Sequence, residues 1–365
     1  MIAGGCGALL TACGGDDFDP FAASGDSASR ETVPPPSATA PDAPESQSVT
    51  RVPAGTDAQA QAQAQSQVAS QQIQTAAEPL PAPLVYLIPS PAQQGHAVMV
   101  LIHAPGADNA AVSWLGETFS LIREEDRFMG FFGIDANAPP GPQALGVAVW
   151  APNDQQLLWQ ETLIEIEAVE WTTDDIQIDG ANTALLDPAI RAADHTARLP
   201  YQTGLTQQRH WLGVFDPPAE GAITALYGEQ RSFNGGPIIE YHTGIDFGGE
   251  SGTAIMAANS GIVSWAGRTA RRGNGLIIDH GAGVFSGYYH LSEVLQTTGN
   301  VVEQGALIAR MGATGLATGP HLHWEVVVRG VTVNPLPWLR ILEYPDPHQE
   351  LNPVNAIAAT NLATS

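Results

Sequence analysis

Short apolar runs separated by glycine and proline turns recur over residues 84–328, and they constrain the fold more than any other feature of the chain. Pro139-Pro140-Gly141 is one such turn. Residues 157–169 end in alternating apolar and polar side chains, which is the period-two pattern of a half-buried strand. Short strands are also expected at residues 211–215 and 223–227. The sequence therefore predicts a mainly β protein.

The charge balance excludes several partner classes. Thirty-eight acidic residues against fourteen basic residues give a net charge of −24, and every basic residue is an arginine. No basic face is available to displace counterions from phosphates, so nucleic acid is excluded as a partner. A polybasic membrane patch is excluded for the same reason. The sequence also has no apolar run of the roughly 18 residues that a spanning helix needs. The acidity lies mostly outside residues 228–342, whose charge is close to balanced.

Both cysteines, Cys6 and Cys13, lie near the N-terminus, so a disulfide scaffold and a cysteine-rich zinc site are excluded. Residues 10–13, Leu-Thr-Ala-Cys, resemble the lipobox of bacterial lipoproteins, whose cysteine is acylated. We therefore expect residues 1–13 to be a signal peptide and the protein to be exported to the periplasm. A lipid anchor at Cys13 is then its expected membrane contact. No arginine or lysine precedes the apolar stretch, a departure that a misassigned start codon would explain.

Composition divides the chain into segments. Residues 14–82 are rich in Ser, Ala, Pro and Gln and cannot bury enough apolar surface to fold, so they are predicted to form a disordered tether. Residues 84–171 are predicted to form an immunoglobulin-like β-sandwich that serves as an accessory domain. Residues 172–225 connect it to a second β-rich domain at 226–342, and a loose tail follows at 343–365.

Five of the ten histidines fall within residues 242–323, in the second domain. His321 and His323 lie two apart in a β-like run, so their imidazoles are expected on one face of a strand. His242 and Asp246 share that parity, and Gly244 permits the bend that would bring both to one metal. Two histidines and one carboxylate leave a fourth position open, as in catalytic zinc sites. The alternative is a set of ordinary hydrogen-bonded histidines.

The motifs of this domain follow one another in a recognisable order. They are Gly228-Glu-Gln-Arg231, Phe233-Asn234-Gly235, His242-Thr-Gly-Ile-Asp246, Gly275-Leu-Ile-Ile-Asp279-His280-Gly281, Tyr288-Tyr-His290-Leu291, Gly312-Ala-Thr314-Gly315 and Gly319-Pro-His321-Leu-His323-Trp-Glu325. Over roughly residues 210–340 the chain resembles the lysostaphin/LytM-type peptidoglycan zinc metalloendopeptidases. The resemblance implies the duplicated hybrid motif of that family, a β-rich fold with an open groove. It further implies zinc (Zn2+) held by His242, Asp246 and His323, with His290 and His321 as metal-free catalytic histidines.

The implied function is zinc-dependent hydrolysis of peptide cross-links in bacterial peptidoglycan, with the peptide stems as substrate. We expect His321 to act as general base and His290 to stabilise the oxyanion or protonate the leaving amine, although the two roles could be exchanged. An alternative is a non-catalytic LytM-type regulator that binds and activates a cell wall amidase. Another is a wall-binding module with a structural metal.

The resemblance alone does not identify the bond that is cut. Glycine bridges and D-alanyl bonds are both handled by this family, and a D-Ala to diaminopimelate bond is our expectation. His280 follows an apolar run and precedes a turn, so a structural role is favoured over a catalytic one. Arg231 and Asn234 are expected either to border the groove or to hydrogen-bond a loop. The oligomeric state, the choice between inner and outer membrane, and any blocking of the groove by upstream residues are not predicted.

Overall fold

The structure, a computed structural model, describes residues 80–339 except Ala181 and Leu205. Within this part the protein is mainly β, as predicted, with one α-helix. No helix among the described residues is long and apolar enough to cross a bilayer. The predicted signal peptide with Cys13, the tether at residues 14–82 up to residue 79, and the tail at 343–365 lie outside the described residues.

The first β region consists of two sheets that pack face to face. Its strands are β1 Leu84–Ile88, β2 Ala92–Gln93, β3 Ala97–His103, β4 Asn109–Trp114, β5 Glu117–Ser120, β6 Ile122–Glu124, β7 Arg127–Gly133, β8 Gly141–Trp150 and β9 Gln156–Glu167. One sheet has the order β1-β3-β7-β6 and the other β2-β9-β8-β4-β5. Val98 and Val100 of β3 share a core with Val112 of β4 and Val147 of β8, so side chains from both sheets fill the space between them.

The strand β3 is buried on both faces. Val98 and Val100 face the second sheet. Met99 and Leu101 belong to a second core, which they share with residues of the C-terminal region. This explains why β3 is apolar at successive positions rather than alternating, since only a sheet with both faces covered favours such a run. The first sheet is therefore the middle layer between the second sheet and the C-terminal region.

The strands of the C-terminal region are β10 Thr173–Ile176, β11 Ile223–Ala225, β12 Gln230–Phe233, β13 Glu240–Tyr241, β14 Ile245–Gly248, β15 Ala254–Met256, β16 Gly261–Thr269, β17 Gly273–Gly281, β18 Val284–Leu291, β19 Glu293–Val294, β20 Val301–Val302, β21 Leu307–Arg310, β22 His321–Val328 and β23 Val331–Val333. The main sheet has eight strands: seven follow the order β11-β14-β22-β18-β17-β16-β20, and β23 pairs with β22 as the eighth. Two three-stranded sheets, β10-β12-β13 and β15-β21-β19, complete the region.

Residues between the two β regions contribute to the C-terminal one. The strand β10 pairs in parallel with β12. The helix α1, Pro188–Arg198, begins at a proline, and the side chain of Asp187 caps it by accepting a hydrogen bond from the Ala189 N–H at 2.7 Å. A proline in the first turn loses no hydrogen bond, and an Asp cap satisfies a free N–H, so these two residues define where the helix starts.

The prediction of a strand at residues 211–215 is wrong. The strand predicted at residues 223–227 does form, as β11. The 211–215 segment is irregular, and its aromatic side chains Trp211 and Phe215 are buried in an aromatic cluster. The Phe215 ring lies 5.2 Å from that of Trp338 and 4.8 Å from that of His280. The apolar run therefore arises from burial of aromatic rings between layers and not from strand pairing.

Candidate metal centre

Two adjacent antiparallel strands place a carboxylate and an imidazole opposite each other. Asp246 on β14 is the direct cross-strand partner of His323 on β22, and directly opposed side chains project from the same face. The Asp246 Oδ1 lies 2.8 Å from the His323 Nδ1. On the other side of β22, Tyr289 of β18 is also paired with His323. The centre of the sheet therefore fixes two of the three predicted ligands.

The third predicted ligand, His242, precedes β14 and reaches the same point through a bend at Gly244. Its Nε2 lies 2.9 Å from the Asp246 Oδ1 and 2.8 Å from the His323 Nδ1. A side chain at Gly244 would place its Cβ 2.3 Å from the Trp324 carbonyl oxygen. The glycine is thus needed for close backbone approach to β22, in addition to the bend that the sequence suggested.

The hydrogen bonds around these histidines determine which ring nitrogen carries the proton. The His242 Nδ1 lies 2.8 Å from the Leu226 carbonyl oxygen and must donate to it. The His323 Nε2 lies 3.1 Å from the Glu325 carboxylate and donates in the same way. In the neutral rings, the His242 Nε2 and the His323 Nδ1 therefore present lone pairs, and both face the Asp246 Oδ1. Three acceptor atoms converge with no proton between them, an arrangement that fits a bound cation.

Burial and charge act on the pKa values of this group. Burial lowers the pKa of His242 to about 4, although Asp246 opposes that effect. Burial acts to raise the pKa of Asp246, but the adjacent His242 and His323 hold it well below its usual range. Neutral His242 and ionised Asp246 are the forms that bind a metal at neutral pH.

Two further histidines lie beside these three residues. The His290 and His321 ring centroids are 4.7 Å apart, and the His321 Nε2 lies 4.0 Å from the Asp246 Oδ2. His290 donates through Nδ1 to the Thr314 carbonyl at 2.7 Å, and His321 donates through Nδ1 to the Gly319 carbonyl at 2.9 Å. Each neutral ring therefore has its lone pair at Nε2. Burial lowers the pKa of His321 and lowers that of His290 well below its usual range.

A groove of about 990 Å³ passes over His242, Asp246, His290 and His321. Residues of β10 and α1 line it together with later residues of the C-terminal region. The charged side chains along it are five arginines and four acids, namely Arg191, Arg198, Arg231, Arg271, Arg272, Asp174, Asp194, Glu240 and Asp246. The net charge of −24 of the whole chain therefore does not extend into the groove.

The structure also places the remaining residues that the sequence singled out. Arg231 lines the groove, and its Nη2 donates to the Asp246 Oδ2 at 3.2 Å. The Asn234 side chain instead binds the backbone N–H and carbonyl of Ile178. His280 is fully buried, bonded to the Ser260 carbonyl and the Ser286 hydroxyl, and takes no part in the groove.

The sequence reasoning did not assign a role to Glu325, whose side chain is fully buried. It receives hydrogen bonds from His323, from Thr243 at 2.6 Å and from two arginines, Arg198 and Arg272. A signal was present in the sequence, because Glu325 follows His321 and His323 with the same spacing of two and so shares their face. Nothing in the sequence pattern indicated that Arg198 would contact Glu325.

Comparison with known proteins identifies the region that carries this site. Residues 240–335 match the model of peptidase family M23. We call this matched segment the M23 domain. Within the C-terminal region, β13 to β23 all fall in this M23 domain, whereas α1, β10, β11 and β12 precede it.

Two curated relatives illustrate the similarity. The DD-carboxypeptidase/endopeptidase Mpg of Neisseria meningitidis serogroup B is 43% identical over 95 residues, which cover 26% of this chain and 22% of Mpg. The peptidoglycan DD-endopeptidase ShyC of Vibrio cholerae serotype O1 is 30% identical over 184 residues, which cover 49% of this chain and 41% of ShyC. The chain thus matches less than half the length of either relative.

A solved structure supports the fold. A protein from Pseudomonas aeruginosa assigned to peptidase M23 has a TM-score of 0.52 and 23% identity, and the match covers 69% of this chain and 96% of that one. At this identity the likeness shows a shared fold only. Because the match is longer than the M23 domain, the fold in common includes residues outside it.

Proposed function

We propose that the protein is a zinc-dependent endopeptidase that hydrolyses peptide cross-links of bacterial peptidoglycan. The observation that carries the proposal is the convergence of three unprotonated ligand atoms, from His242, Asp246 and His323, beside an open groove that His242 and Asp246 line. Two further histidines with lone pairs lie beside them. The relatives named as peptidoglycan endopeptidases support the choice of substrate.

Zinc fits the set of donors. Two imidazoles and one carboxylate, with tautomers fixed by Leu226 and Glu325, match the ligand types of catalytic zinc sites, which leave a position open for substrate or water. When bound, the metal would supply Lewis acidity and lower the pKa of a water molecule to about 7. The rings of His323 and His242 are both buried. They therefore exclude solvent from one side of the three ligand atoms.

The two remaining histidines can move protons. His321 lies next to Asp246, so its Nε2 lone pair is positioned to accept the proton of the attacking water. His290 lies across from it, and once its Nε2 is protonated it can donate to the carbonyl oxygen as negative charge develops, or to the departing amine. The backbone carbonyls of Thr314 and Gly319 hold both rings in orientation throughout.

The cellular location is part of the proposal. Peptidoglycan lies outside the cytoplasmic membrane, so its hydrolysis requires export, and the lipobox-like residues ending at Cys13 offer both a signal and a lipid anchor. Radiolabelled palmitate should be incorporated into the native chain and not into a Cys13→Ser variant. Equal labelling of the variant, or no labelling of either chain, would refute the anchor and leave the proposed activity untouched.

The activity is tested with full-length protein, purified sacculi and mass spectrometry of the released fragments, whose masses also identify the bond that is cut. His323→Ala should abolish zinc binding and hydrolysis together. His290→Ala and His321→Ala should retain zinc and lose about 10²–10⁴-fold in turnover. His103→Ala, a partly exposed histidine in the first β region, is the matched control and should match the native enzyme.

Undiminished release of fragments by His323→Ala would refute the metalloenzyme. A native protein that binds zinc, releases no fragment and stimulates a separate wall amidase would instead identify the non-catalytic regulator. Zinc binding with neither fragment release nor amidase stimulation would leave a wall-binding module. The three outcomes are separated by measuring zinc content, fragment release and amidase activity on the same preparation.

A further inference from the structure

A fully buried carboxylate lies directly behind the metal centre. The Glu325 Oε1 accepts hydrogen bonds from the His323 Nε2 at 3.1 Å, from the Thr243 hydroxyl at 2.6 Å and from the Arg272 guanidinium. A buried carboxylate requires compensating positive charge and a full set of donors. The position of Glu325, and through it the ring of His323, therefore depends on the cations around it.

The second oxygen of this carboxylate is held from outside the M23 domain. Among the described residues, Arg198 reaches the Glu325 Oε2, with its Nη1 at 3.1 Å. The same nitrogen donates to the Tyr289 hydroxyl at 3.0 Å, and the guanidinium lies 5.1 Å from the centre of the Tyr289 ring. The side chain of Arg198 is only 8% exposed, so its positive charge faces these buried groups and not the solvent.

Arg198 is the last residue of α1, and the helix is tied to the M23 domain by a second acid. The Asp194 Oδ1 accepts from the backbone N–H of Arg271 at 2.8 Å, and its Oδ2 lies 3.4 Å from the Arg198 Nε. Asp194 and Arg198 are one helical turn apart and therefore face the same side. The helix thus presents one paired acid and base to Glu325 and to the backbone of Arg271.

We propose that helix α1 is a positioning element of the metal centre, in which Arg198 holds Glu325 and Glu325 in turn holds the His323 ring with its Nδ1 facing the metal. The proposal rests on the proposed zinc function. With Glu325 in place, the Nε2–H has an acceptor and the Nδ1 lone pair is free for the metal. If Glu325 shifts or turns, the alternative tautomer, with a proton on Nδ1, can bond to Asp246 and compete with metal binding.

The test compares two arginines that are equally buried. Arg198→Met removes the donor to the Glu325 Oε2. Arg209→Met removes the partner of Glu124, a residue of β6 in the first β region, and the side chain of Arg209 is also 8% exposed. Zinc affinity of the full-length proteins is measured by competition with a chelator. Arg198→Met should weaken zinc binding about 10–100-fold, and Arg209→Met should leave it unchanged.

A second measurement reads the tautomer itself. In the zinc-free native protein, ¹⁵N NMR of the histidine rings should show His323 protonated at Nε2, and in Arg198→Met a fraction protonated at Nδ1 should appear. Arg198→Lys keeps the charge but not the planar fork, so it should recover part of the zinc affinity. If Arg198→Met does not fold, the zinc affinity and the His323 tautomer are compared between Arg198→Lys and the native protein.

Native zinc affinity and an unchanged His323 tautomer in a folded Arg198→Met or Arg198→Lys protein would overturn the positioning role. Equal losses of zinc affinity in Arg198→Met and Arg209→Met would overturn it as well, since the effect would then be general destabilisation. A native protein that binds no zinc would refute the proposed function itself, and this result is distinct from both.

Discussion

The close approach of Gly244 to β22 offers a sharp test of how the metal centre is held. In Gly244→Ala, the new Cβ would lie 2.3 Å from the Trp324 carbonyl oxygen and 3.1 Å from the Cε1 of His323. Real Cβ contacts are essentially never below 3.0 Å, so β14 and β22 must separate. These strands carry Asp246 and His323 as direct partners, and the separation would pull two ligands apart.

The expected cost is roughly 1–3 kcal/mol of folding free energy, as for other overpacked sites. At about 2–4 °C per kcal/mol, thermal unfolding would detect this change. A misplacement approaching 1 Å also costs on the order of 10²-fold in turnover, and zinc binding should weaken in parallel. Gly180→Ala is the control, because a Cβ there meets nothing within 4 Å. If Gly244→Ala retained native melting temperature and zinc affinity, the reasoning about backbone approach would be refuted.

Two further predictions follow from the buried groups. Burial lowers the pKa of His280 to about 4, below the roughly 6.5 of an unfolded chain, so the unfolded state binds more protons between these values. The contribution of His280 to stability should therefore fall by about 3 kcal/mol as pH drops from 7 to 4; urea titrations should show a shallower pH dependence in His280→Gln, and an unchanged one would contradict the assignment. Zinc at 100 times its Kd should stabilise the native protein by about 2.7 kcal/mol, measured as a higher melting temperature that a chelator reverses, whereas no effect on His323→Ala is expected.

Local rules placed the candidate ligands together in the sequence, whereas the choice of His323 over His321 came from the family resemblance. The spacing of two between His321 and His323 indicates one face of a strand, and both do lie on β22. The bend before Asp246 is likewise local, because Gly244 marks it. By contrast, the absence of a strand at residues 211–215 depends on aromatic partners far away in the sequence, such as Trp338.

The orientation of His290 could not be derived from alternation. On β18, Tyr288 is paired with the core residue Trp324 and Tyr289 with His323, so simple alternation would direct His290 away from the site. The pairing of β18 with β17 shifts register at this point, and His290 has a φ of 62°. A bulge with a residue in the left-handed region re-aims a side chain, and here it brings His290 to His321. Only its place in the motif made it a candidate.

Residues from outside the M23 domain form part of the groove wall. The M23 domain supplies the proposed metal ligands and both remaining histidines, yet α1 and β10, which lie outside it, line the groove. Without α1, the Glu325 Oε2 would lose its donor Arg198, and without β10 one edge of β12 would be unpaired. Uncompensated buried charge and open strand edges are both destabilising. The unit that must be assayed is therefore the chain that includes residues 173–198, because the chemistry of His323 depends on a cation that the M23 domain does not contain.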